Sequence, residues 1–252
     1  MSFKARIISF ISVAVTLMMG VFLLITFISL DIFEKRFSEE AIRGKSVLWQ
    51  KVTQVQLEQM GGSTNSMTRA SDALKALRKN DMKSLSEATL PTFNRLSATG
   101  VITRLQIADK SGKIIFSSPH QFSGETSKTL VKKSLIEKKV FSGIERDDDG
   151  LIVAEITFPL YFRGKLIGAG VYMIDMETAL NNFKEADGSE IHLFSESGKM
   201  EFSTNHEHFN HIQHELESSD QNSQFKHENG GRLMSHVQLP LLDVSGNQIA
   251  NI

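Results

Sequence analysis

Arg104 in VITRLQIAD, Tyr161 in LIVAEITFPLYF, and Tyr172 and Asp175 in LIGAGVYMID place a guanidinium, two phenols and a carboxylate on segments built from alternating residues. A guanidinium grips a carboxylate through two parallel hydrogen bonds, a phenol orients a ligand with its hydroxyl, and a carboxylate seats an ammonium. Arg146, beside Asp147-Asp148-Asp149 in GIERDDDG, is a further ligand-binding candidate in a turn able to fold over such a site. Each has a structural alternative. Arg146 also reads as part of a solvated charged hairpin, Asp175 as a cap on the helix starting at Met176, and Arg104 and Tyr161 as strand residues facing a helix or water. Gly168 and Gly170 permit close approach by a ligand or by packed protein.

A second constellation, NHEHFNHIQHELE, carries His208, His211 and His214 at three-residue steps. Neighbours at i and i+3 share a helix face and can grip a divalent ion, but successive steps of three drift around the helix. These are weak metal candidates, with a pH-responsive patch or surface histidines as the alternatives. The zinc-hydrolase pattern HExxH is absent, as are GxSxG and the phosphate-cradling GxGxxG and GxxxxGK[ST]. No cysteine occurs, which removes thiol catalysis, CxxC redox chemistry and Cys-ligated metal. The 28 basic and 29 acidic residues leave a net charge of −1 and no basic footprint for nucleic acid. Neither an enzyme nor a cofactor is expected.

The candidate residues need elements to hold them. IISFISVAVTLMMGVFLLITFISL, residues 7–30, is uncharged and long enough to cross a bilayer as a helix. Lys4 and Arg6 precede it and Asp31 and Glu34 follow, so residues 1–6 are expected in the cytoplasm and everything after 30 outside, on an uncleaved anchor in the cytoplasmic membrane. Residues 31–99 read as a long amphipathic helix, with Gly61-Gly62 as its stop, followed by further helical segments in which Pro91 limits continuity. After Gly100 the period becomes that of strands. A hairpin turning at Lys110-Ser111-Gly112-Lys113, a short helix near 128–139 and a longer hairpin turning at Arg163-Gly164-Lys165 predict an antiparallel sheet backed by helices over 100–183.

The order then restarts over 184–252. At an offset of 86, Ser111-Gly112-Lys113 falls on Ser197-Gly198-Lys199; at 81, Phe158-Pro159-Leu160 falls on Leu239-Pro240-Leu241. Two motifs recurring in one order at nearly one distance predict a tandem repeat. QIANI is shorter than the matching LIGAGVYMID, so the second module is expected to be incomplete and the chain to be a truncated or edited copy of a longer receptor.

A membrane span, a long helix, LQIADKSGKIIFSSP, GIERDDDGLIVAEITFPLYFRGKLIGAGVYMID and a module closing with QLPLLDVSGNQIA together resemble the extracytoplasmic double Cache sensor domains of bacterial methyl-accepting chemotaxis proteins. The resemblance covers about Asp31 to the end. It implies an α+β fold: a stalk helix spanning two PAS-like antiparallel sheets, of which 100–183 is the membrane-distal, ligand-binding module and 184–252 the membrane-proximal one. It also implies a small-molecule ligand, a homodimer through the long helix, and cytoplasmic signalling partners where an output domain follows. Asp175 stands where an aspartate of the amino-acid-binding version follows the last distal strand, whereas that version's RxWY run has no counterpart; Trp49, the only tryptophan, lies on the long helix. Other receptors carry such inputs, so a sensor histidine kinase or diguanylate cyclase remains an alternative, as does a standalone membrane-anchored binding protein.

Overall fold

The computed structural model of the chain describes residues 3–207, 225–229 and 232–252. It comprises two compact units, 1–45 and 46–252. The first is formed by the opening part of helix α1 (Phe3–Ser63). The apolar stretch of this helix reaches a mean hydropathy of 2.2 over 18 residues, with none of that window buried, so its length and composition suffice to cross a membrane.

In the second unit α1 runs through Gly61-Gly62 and ends at Ser63, so the paired glycines occupy its last turn instead of stopping it. Gly61 packs against Ile156, whose Cδ1 would lie 3.4 Å from an added Cβ. Helices α2 (Asn65–Thr68), α3 (Ser71–Lys79) and α4 (Met82–Ala98) follow. Asp81 opens α4 by accepting the Ser84 amide at 3.1 Å. Pro91 does not break α4, because it stands on the exposed face, opposite Leu85, Thr89, Phe93 and Leu96, and the carbonyl it deprives of a donor can turn to water.

The first sheet is antiparallel, in the order β3 (Gly124–Glu125), β2 (Lys113–Ser118), β1 (Arg104–Asp109), β6 (Lys165–Asp175), β5 (Ile152–Phe162), β4 (Phe141–Arg146). Helix α5 (Thr129–Glu137) precedes β4, and α6 (Met176–Asp187) follows β6. Alternation sends Leu105, Ile107, Ile156, Phe158, Tyr172 and Ile174 to one face, where they share a core with Met60, Met67, Leu74, Leu77, Leu85 and Phe93 of the helices. Val153, Ala169, Val171 and Met173 face the other way and pack with Val131 of α5.

The second sheet contains β7 (His192–Ser195), β8 (Met200–Ser203), β11 (Pro240–Leu242) and β12 (Gln248–Asn251), while β9 (Phe225–Asn229) and β10 (Arg232–His236) form a separate hairpin. Its order, β8-β7-β12-β11, repeats β2-β1-β6-β5 of the first sheet. The two prolines that mark the repeat sit where no ladder donor is missed. Pro159 lies beyond the last β4 partner of β5, Thr157, and Pro240 is on the outermost strand of its sheet.

Four hairpin turns share one device. Asp109, Asp147, Ser195 and Asp243 each take the amide four residues on into the side chain, at 3.1, 2.8, 3.1 and 2.8 Å. The glycine three residues on, at 112, 150, 198 and 246, has φ between 78° and 90° and donates to the carbonyl of the first residue. The recurring SGK is therefore half of a turn whose other half is the side-chain acceptor before it.

Candidate functional site

On the α5 side of the first sheet, strand pairing lines up a polar layer. Arg104 and Gln106 of β1 stand opposite Met173 and Val171 of β6; Met173 and Val171 stand opposite Glu155 and Thr157 of β5; and Glu155 stands opposite Gly143 of β4, whose next residues on that face are Glu145 and Asp147. All the charged members up to Asp147 are buried, from 0% exposed at Glu155 to 7% at Arg104. A buried charge is tolerable only when paired and hydrogen-bonded, and here the pairing falls into two groups.

The first group surrounds Arg104. Its Nε lies 2.7 Å from Asp175 Oδ1, and its Nη1 bonds Asp147 Oδ2, with Asp149 at 3.9 Å. The other oxygen of Asp147 accepts the amides of Asp149 and Leu151, so one carboxylate both shapes the turn and holds the guanidinium. Asp148 ties the same turn to the segment before α5 by accepting from Thr126 Oγ1 at 2.9 Å and the Ser127 amide at 3.0 Å. Asp175 occupies the N-cap position of α6 without a capping side-chain bond; its carboxylate goes to Arg104.

The second group surrounds Lys128, whose Nζ reaches Gln106 Oε1 at 2.9 Å and Glu155 Oε2 at 3.1 Å. Thr157 donates to Glu155 Oε1 at 3.0 Å, and the Thr129 amide donates to Glu145 Oε2 at 3.0 Å. Burial, followed by the neighbouring Glu155 carboxylate, pushes Glu145 up to about 8.

The remaining candidates lie elsewhere. Tyr172 is fully buried on the helix-facing side, edge-on to Phe158 at 4.9 Å, with its hydroxyl 3.5 Å from the Ser63 carbonyl; burial raises its phenol well above the ordinary value. Tyr161 is exposed near the end of β5. Arg146 turns to the second sheet, donating to the Ile249 carbonyl and pairing with Glu201, both at 3.1 Å. His208, His211 and His214 lie outside the described residues, among which no cluster of three or more His, Asp or Glu suits a metal ion. The small residues of β6 are explained within the protein: a Cβ at Gly168 or Gly170 would fall 2.1 Å from the Ala108 carbonyl oxygen or 2.5 Å from the Phe158 ring. Arg104 and Asp175 are thus brought together, while Arg146, Tyr161 and Tyr172 are not. Lys128, Glu145 and Glu155 escaped the sequence reading; their only signal was an acid inside the apolar run LIVAEITF and a strand of mixed polarity, GIER.

A groove of about 520 Å³ lies on the helix side, between α1 and the outer strands, lined among others by Trp49, Thr53, Leu57, Ser142, Ile144 and Ile156. Next to it the second sheet docks on β4. The Val244 amide donates to the Ile144 carbonyl at 3.1 Å, and a Cβ on Gly143 would come 2.3 Å from Val244 Cγ1.

The family described as the double sensory domain of two-component sensor kinases matches residues 36–252. No curated protein matches the sequence. Among solved structures, a domain assigned to the sensory box/GGDEF family from Vibrio parahaemolyticus is similar at 11% identity and TM-score 0.50, over 85% of this chain and 93% of that one. The extracellular domain of a histidine kinase is similar at 11% identity and TM-score 0.48, covering 86% and 93%. The ligand-binding domain of a Campylobacter jejuni chemoreceptor in complex with L-norvaline is similar at 19% identity and TM-score 0.40, covering 81% and 86%.

Proposed function

We propose that this chain, which belongs to the family of double sensory domains of two-component sensor kinases, is the extracytoplasmic input region of a membrane receptor that reads a small molecule and hands its state to a signalling output. The observation that carries the reading is the family match over 36–252, which spans both sheets and the stalk part of α1. The apolar helix at the N-terminus supplies an anchor in the cytoplasmic membrane, and the charges flanking residues 7–30 put the sensory part outside.

The matched family favours a two-component sensor kinase as the receptor class ahead of the chemoreceptor that the sequence resemblance implies. Extending the coding sequence past codon 252 separates them: a kinase core is expected, a cyclase domain would keep the input reading with a different output, and a long heptad-patterned helical hairpin would favour chemotaxis.

The ligand is expected on the α5 side of the first sheet, where Arg104 and Asp175 present opposite charges, with Asp175 a third exposed. Tyr161, Tyr172 and Arg146 are kept as candidates through the elements they stand on, not through contact with that pair. The full chain in nanodiscs should gain thermal stability with one class of organic acid, amine or zwitterion; free ligand at a hundred times Kd is worth about 2.7 kcal/mol. Replacing Asp175 by Asn should weaken that binding at least about tenfold, the value of one charge-assisted bond. Unchanged affinity would move the site elsewhere.

A further inference from the structure

The Lys128 group holds two carboxylates and one ammonium. Glu145 is faced from β5 by Glu155 and Thr157, from the start of α5 by Lys128 and the Thr129 amide, and from β1 and β6 by Gln106 and Met173. The next charged groups on this face, Asp147 and Asp175, are paired with Arg104, with Asp148 and Asp149 in the turn above them. Among the described residues Lys128 is therefore the sole cation available to Glu145, and it already lies 3.1 Å from Glu155 Oε2. Glu145 Oε1 is buried with no donor in reach, which an ionised carboxylate would not sustain. A proton on Glu145, hydrogen-bonded to the neighbouring Glu155 carboxylate, removes that unmet negative charge.

Glu145 also stands on a strand with two duties. Among the described residues β4 is the last strand of its sheet, paired on one side only, with β5. Its residues to either side of Glu145 hold the second module: the Ile144 carbonyl accepts the Val244 amide, and Arg146 binds Glu201 and the Ile249 carbonyl.

We propose that Glu145 and Glu155 form a proton-sensing site, and that loss of the proton they share loosens β4 and releases the second module from it. Glu145 gives its proton to solvent, the buried group then carries two negative charges against one positive, and the edge strand is the element free to yield. This rests on the chain being a sensory input but requires no small molecule.

Trp49, the only tryptophan, lines the groove beside Ser142 and Ile144 of β4, so its emission reports on that strand. The full chain in nanodiscs, without added ligand, is titrated from about pH 6 to about pH 9.5 while Trp49 emission and the infrared carbonyl band of protonated carboxyl groups are followed. One reversible transition is expected near pH 8, the value to which Glu145 is pushed, with the band lost over the same range. E145Q should abolish both changes. E155Q, which leaves Glu145 alone with Lys128, should move the transition to lower pH. A flat emission profile in the unaltered chain, or an unmoved transition in both variants, overturns the proposal. Either result leaves the small-molecule reading intact, since that reading is tested by ligand addition.

Discussion

Arg104 is gripped on two edges of its guanidinium, and the burial of its partners decides what its loss does. Arg104→Met would leave Asp147 charged, buried and half-bonded, and should cost about 3–5 kcal/mol in chemical denaturation. Asp175→Asn should cost about 1 kcal/mol or less, because Asp175 is a third exposed and keeps its place at the head of α6. At Glu145 the sign runs the other way from most carboxylates. Its folded value near 8 exceeds the ordinary 4.5, so the folded state holds a proton that the unfolded chain has released. The stability this gives is complete below about pH 4.5, declines as the pH rises toward 8 and is lost above it; scanning calorimetry should show Tm falling across that window and a flatter profile in E145Q. At this scale the sequence was legible in its alternation, which placed Tyr172 and Met173 on opposite faces. It was silent on Lys128, because a lysine ahead of a helix gives no sign that its stem will run inward to a carboxylate on β5.

At the scale of elements, periodicity revealed the two long strands β5 and β6 and the first hairpin, since each alternates over a paired, half-covered surface. It missed β4, a strand whose polar residues face a buried polar layer on one side and the second sheet on the other, so no apolar stripe remains to be read. The same blindness hid the kinship of ERDDDG with the SGK turns, which share an acceptor and a glycine three residues apart but not the intervening letters. β4 is where a small change should act most. Gly143→Ala puts a methyl into Val244, so that residue must rotate or its turn withdraw; a loss of about 1–3 kcal/mol is expected, with Val244→Ala restoring much of it in a double-mutant cycle.

For the whole molecule, the tandem repeat was visible in two short motifs and is matched by the second sheet's repetition of the order of four strands of the first, whereas the proposed ligand surface is built from residues far apart in sequence that only sheet pairing brings together. The homodimer that the resemblance implies belongs to this scale. Phe33 and Phe37 stack at 6.4 Å and are 69% and 67% exposed on α1, one turn apart, an apolar stripe that a second stalk would cover. Since the chain has no cysteine, Phe37→Cys provides a single thiol; disulfide formation in membranes that exceeds that of cysteines placed on the opposite helix face is the expected outcome, and equal trapping all around the helix would count against a stalk interface.

Where Gly143 meets Val244, a glycine pressed against a β-branched residue 101 positions away in the sequence leaves room for one side chain, so 143 can gain one only at the expense of 244. A side chain at 143 is therefore cheapest where position 244 has already been trimmed, which couples two positions that no sequence pattern links.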